Sequence, residues 1–102
     1  MNSYLVVVAT GSLLLLGGTV QAGVIHDRQA RQNARIDQGV ASGALTPHES
    51  DTLFRQQRVI ARSRDRALAD GVMSPSEARH LTREQDHASQ DIYDLKHNDR
   101  TW

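Results

Sequence analysis

Hydrophobic positions along the chain follow two regimes. From residue 4 to residue 20, "YLVVVATGSLLLLGGTV", they are nearly continuous and carry no charge. After Ala22 they come singly, three or four residues apart among polar ones, which is the spacing of one face of a helix. Leu81, Gln85, Ala88, Ile92 and Leu95, extended upstream by Ala78, form a narrow seam. Leu53, Ile60 and Ala67 recur every seven residues, flanked by Phe54, Val59 and Leu68. Further upstream the pattern thins to Ile36 and Val40. These patterns predict helices from Ile25 to Ser42, Pro47 to Asp70 and Pro75 to Lys96. The second and third are expected to form a tight hairpin, and the first to pack more loosely and open first.

Punctuation between the helices repeats. "ASGALTPHESDTLF" at residues 41–54 returns as "ADGVMSPSEARHLT" at 69–82, an offset of 28 that also pairs Asp37 with Asp65 and Gln57 with Gln85. In each copy a hydroxyl residue, Thr46 or Ser74, suits the N-cap. Pro47 or Pro75 suits the first helical position, and Glu49 or Glu77 falls third to close a capping box. Gly43 and Gly71 suit the left-handed residue that ends the preceding helix. Short connections favour antiparallel neighbours. The fold class expected is therefore all-α, a three-helix antiparallel bundle built from a degenerate repeat and occupying residues 23–102.

Two resemblances attach to these turns. "DGVMSPSE" resembles the second half of an EF-hand calcium loop, with Asp70, Gly71, Met73, Ser74 and Glu77 at matching places. The leading carboxylate positions hold Arg66 and Leu68, or Gln38 and Val40 in the other copy, and calcium wants six to eight oxygens. Capping alone accounts for the shared residues. The "GALTPHE" turn together with the "ASQDIYDLKHN" ending resembles small exported proteobacterial helical-repeat proteins with a GxLTxxE turn. That resemblance spans about residues 30 to 98 and brings no activity with it.

The apolar run ends in "VQA", whose Val20 and Ala22 are placed like the small residues of a signal-peptidase site, so residues 1–22 read as a signal peptide and Gly23 as the first mature residue. No Lys or Arg precedes the run; left uncleaved, residues 4–20 are just long enough to anchor the chain in an inner membrane. A periplasmic or secreted domain is expected, with membrane contact only in the uncleaved case. With no cysteine, it has neither disulfides nor thiol chemistry. Leu, Ile, Val and Phe make up 14 of the 80 residues from Gly23 onward, which predicts a thin core. Twelve basic residues balance twelve acidic ones, which excludes a general nucleic-acid binder.

Candidate chemistry is sparse. His80, Glu84, His87 and Asp91, continued by Asp94, lie along one stripe of the third helix. Imidazole with carboxylate at such spacings suits zinc, copper or nickel. His80 and His87 are two turns apart, so a usable site needs Glu84 or an interhelical partner such as His48 or His26. Arg55, Arg58, Arg62 and Arg66 stripe the second helix and are expected to pair with neighbouring acids rather than to form an anion-binding face. No nucleophile motif and no glycine-rich phosphate loop occurs, so no enzymatic activity and no cofactor are expected. Two function classes remain. One is a non-enzymatic envelope-accessory or interaction protein, binding a protein partner or its own copies; the alternative is a divalent-metal-binding protein.

Overall fold

A computed structural model describes residues 2–98, with side chains from residue 20 onward. Three helices account for its regular structure: α1 (Asn2–Ser42), α2 (Pro47–Ala67) and α3 (Pro75–Lys96). The signal-peptide reading of residues 1–22 and the anchor reading of residues 4–20 fall almost entirely outside the described side chains. Among the described residues, no helix is long and apolar enough to cross a membrane.

Both turns are built from their capping residues. Thr46 Oγ1 accepts the Glu49 amide at 3.1 Å while Glu49 Oε1 accepts the Thr46 amide at 2.8 Å. Ser74 and Glu77 reproduce the two bonds at the same lengths. Pro47 and Pro75 open the helices without wasting an amide hydrogen. Gly43 and Gly71 take φ of 79° and 91°, a region costly for any residue with a Cβ. The first turn folds back so closely that the Leu45 amide reaches the Gly39 carbonyl at 3.0 Å. A Cβ on Gly39 would lie 2.6 Å from Leu45 Cδ1. At the second turn α2 ends at Ala67, three residues short of the expected Asp70. Leu68 caps the carbonyls of the last turn, and Asp70 Oδ1 accepts the Val72 amide at 3.2 Å to form an Asx turn.

Cross-helix contacts fix the topology. Gln29 and Gln32 on α1 meet Gln57 on α2, while His26 and Gln29 meet Arg64 further along it, so α1 and α2 run antiparallel. Gln32 meets Gln85 and Ser89, and Lys96 meets Arg35, so α1 and α3 run parallel. Each helix packs on both others. The expectation of a loose first helix is overturned: Ile25 and Ile36 are fully buried, and Val40 is the exposed one. The weak apolar pattern of α1 is misleading because, of its five buried residues among those described, two are the glutamines Gln29 and Gln32 and one is Gly39.

Those glutamines organise the core. Gln29, Gln32, Gln57 and Gln85 are all buried. Gln29, Gln57 and Gln85 stand 28 residues apart, so the repeat reaches α1 as well. The same offset relates Ile25, Leu53 and Leu81. Reversing a helix sends residues before its midpoint to the level of residues after the midpoint on its neighbour, and only the midpoint keeps its level. The glutamines occupy that midpoint. On one side lie Ile25 and Leu81 with Ile60, Ala67, Met73, Ala78 and Ala88. On the other lie Ile36 and Ile92 with Leu53 and Leu45, flanked by Phe54 and Leu95.

Hydrogen bonds make the polar layer tolerable, since a buried amide left unpaired costs about 1 to 3 kcal/mol. Gln32 Nε2 donates to the Gln85 carbonyl at 2.7 Å and to Ser89 Oγ at 2.9 Å, while its Oε1 accepts from Gln57 Nε2 at 3.0 Å. Gln85 Nε2 reaches the Ile25 carbonyl at 2.7 Å, and Gln29 Nε2 the Gln57 carbonyl at 2.9 Å. Arg64 donates to Gln29 Oε1 at 2.9 Å. Of the fully buried side-chain atoms in this layer, Gln57 Oε1 is the one without a partner among the described residues.

Two outcomes follow from this packing. Amides of residues 29–38 should exchange with solvent as slowly as those of 54–66, and Ile25→Ala should cost about 2 to 5 kcal/mol, as Leu81→Ala should. Exchange in α1 faster by orders of magnitude would separate it from the core. Gly39→Ala should cost a net of about 1 kcal/mol, because crowding Leu45 outweighs the gain in helix propensity. Adding Leu45→Met should recover most of that loss in chemical denaturation, since Ala67 and Met73 hold the equivalent places at the second turn.

Candidate functional site

The His and acid stripe of α3 does not converge. His80 Nε2 lies 3.3 Å from Glu84 Oε1, an ion pair only when the imidazole is protonated. His87 is exposed, and Asp91 accepts a hydrogen bond from Gln56 Nε2 at 3.1 Å, which ties it across to α2. Asp94 accepts from Gln90 at 2.8 Å. Neither suggested interhelical histidine joins them: His26 Nδ1 sits 3.1 Å from an Arg64 nitrogen, and His48 is exposed on the first turn of α2. Among the described residues, no three His, Asp or Glu side chains come together as a metal ion would need.

Residues shared with the EF-hand half-loop are engaged in the turn itself. Glu77 Oε1 receives the Ser74 amide and Asp70 Oδ1 the Val72 amide. In the other copy, Glu49 is buried, with Oε1 on the Thr46 amide and Oε2 accepting from Asn98 Nδ2 at 3.0 Å, which ties the end of α3 to the start of α2.

The arginines depart from the expected pairing. Arg55 bonds Asp51 one turn away at 3.4 Å, Arg64 contacts Asp65 at 3.4 Å, and on α1 Arg28 pairs with Asp86 at 2.8 Å. Arg58, Arg62 and Arg66 of the α2 stripe form no ion pair among the described residues, and neither do Arg79 and Arg83 on α3. Helix geometry explains this. An arginine on the outward face of α2 meets solvent, and of the acids of α3 Glu77 is engaged in its cap, Glu84 lies beside His80, Asp86 pairs with Arg28, and Asp91 and Asp94 stand toward the other end of the bundle.

Sequence reading missed what these arginines surround. An open groove of about 440 Å³ runs between the last turns of α2 and the first turns of α3, lined by Ser63, Arg66, Ala67, Ser76, Glu77, His80, Leu81 and Arg83. Ala67 and Leu81 give it an apolar floor, and the cations and hydroxyls stand on its rim. The available signal was the four-residue spacing of Arg62 with Arg66 and of Arg79 with Arg83, on either side of one turn. A second, more apolar groove at the opposite end is lined by Val40, Leu45 and Phe54 with Pro47, Ser50 and Asp51.

No family model, curated protein or solved structure matches this chain.

If Glu77 acts as a cap, Glu77→Gln should cost no more than about 1 kcal/mol, because an amide oxygen still accepts the Ser74 N–H. Ser74→Ala should cost about 0.5 to 2 kcal/mol. Melting temperatures measured with and without calcium check the assignment: a calcium-dependent rise that disappears in Glu77→Gln would make Glu77 a ligand instead.

Proposed function

We propose that the chain is an exported, non-enzymatic interaction or envelope-accessory protein, with residues 23–102 as its working domain and an unidentified protein, or its own copies, as partner. One observation carries the reading: among the residues whose side chains are described, from residue 20 onward, the first buried one is Ile25, with Ala22 no more than half-buried against the core. Among the residues whose side chains are described, a cut between Ala22 and Gly23 would leave every fully buried one in place, including the Ile25 carbonyl that receives Gln85. A second line of support comes from the distribution of polar groups. Those that converge inside the bundle bond its helices to one another, while unpaired charge stands outside on open grooves. Such an arrangement suits a rigid body that presents surfaces.

The mature form should be recovered from the periplasmic fraction with an intact mass corresponding to residues 23–102. A full-length mass in the membrane fraction would favour the anchor over the signal, and a full-length mass in the cytosol would overturn export.

A further inference from the structure

We infer that the groove between the end of α2 and the start of α3 binds the anionic phosphate headgroup of a membrane lipid, with Arg66 and Arg83 as its phosphate contacts. Three observations lead there independently of one another. The first is chemical: two guanidinium groups and two serine hydroxyls stand around a floor of Ala67 and Leu81, with His80 Nε2 turned to Glu84, so the groove offers donors to a phosphate and apolar surface to the glycerol and chain beyond it. Glu77, the acid in its wall, has Oε1 on the Ser74 amide.

The second is electrostatic. Arg66 and Arg83 line the groove, Arg62 and Arg79 lie one turn away on the same helices, and none of the four forms an ion pair among the described residues. Asp65 contacts Arg64, Asp70 bonds the Val72 amide, and Glu84 Oε1 lies 3.3 Å from His80 Nε2. Exposed guanidinium groups held together cost self-repulsion that an anionic surface would relieve.

The third is positional, and it commits the ligand to a membrane rather than to free phosphate. Ala22 packs against the cluster containing Met73, Ala78 and Leu81, so α1 leaves the bundle toward the apolar segment of residues 4–20 at the end where the groove opens. A bundle arriving at or tethered to a membrane through that segment would bring the groove to headgroup level. That position holds for the chain while residues 4–20 are still attached, before or without the cut after Ala22; the binding measurement below is made on purified full-length protein and stands or falls without regard to export.

Full-length protein should be mixed with vesicles of phosphatidylcholine alone or of phosphatidylcholine with phosphatidylglycerol, and the bound fraction read by flotation. Association through residues 4–20 is common to both, so the ratio of the two affinities isolates the headgroup contribution. The ratio should favour anionic vesicles and fall about 30-fold in Arg66→Gln/Arg83→Gln, the effect of two arginines near an anionic surface. It should change little in Arg31→Gln/Arg55→Gln, which removes equal charge elsewhere. All four side chains are exposed, and unchanged helical circular dichroism would establish that the variants fold. An equal fall in both variants would replace the groove with diffuse charge, and a wild-type ratio near one would remove the lipid. Displacement by inorganic phosphate at constant ionic strength would make the groove a small-anion site, and so also overturn the inference.

Discussion

Four buried glutamines hold three helices in one register, and the rest of the structure depends on that layer. A core this lean in large apolar side chains has little shape to distinguish one alignment of helices from another. Sliding a helix by one turn would set an amide against Ile25 or Ile92 and leave helix carbonyls and amide hydrogens unmatched inside the protein. A polar layer of this kind contributes to uniqueness of structure more than to net stability, since each bond largely replaces one to water. The layer also separates two apolar clusters of different character. The one toward the α2–α3 turn is fitted from small residues, Ala67, Ala78 and Ala88, around Met73; the other is fitted from Ile36, Leu45, Leu53 and Ile92.

Small residues at one end have a consequence for the surface there. Alanines bring α2 and α3 together with little side-chain bulk between them, and the groove above Ala67 and Leu81 lies over that thin part of the core. The opposite end is filled by larger side chains and tied together by the Asn98 to Glu49 contact and the Lys96 to Arg35 contact. The two ends of the bundle thus differ in packing as well as in charge.

Most of the architecture was legible in the chain because turns announce themselves through a few residues with one physical job each. Thr46, Pro47 and Glu49, with their counterparts Ser74, Pro75 and Glu77, located two helix starts to the residue. The left-handed glycines located the turns between them. What stayed hidden was the share of α1 in the core. No capping phrase precedes Ile25, so nothing local marks a third copy, and a search for apolar periodicity passes over Gln29 and Gln32 because an amide counts as polar whether or not it is buried. The groove was hidden for a different reason. Arg66 and Arg83 belong to separate helices, and their proximity arises only when α2 and α3 pack at the angle their alanines allow.

The same glutamine layer bears on the order in which the chain can fold. The amide of Gln32 finds its carbonyl and hydroxyl acceptors 53 and 57 residues later, and the Ile25 carbonyl is reached from a residue 60 further on. A ribosome that has delivered only α1 and α2 has therefore released two helices whose apolar rows are open along one side and whose buried amides are half satisfied. Such a pair gains too little from burial to offset the entropy of ordering it. The contacts that complete the polar layer are supplied by α3, the last helix among the described residues. The register of the bundle is therefore complete only when all three helices are present together.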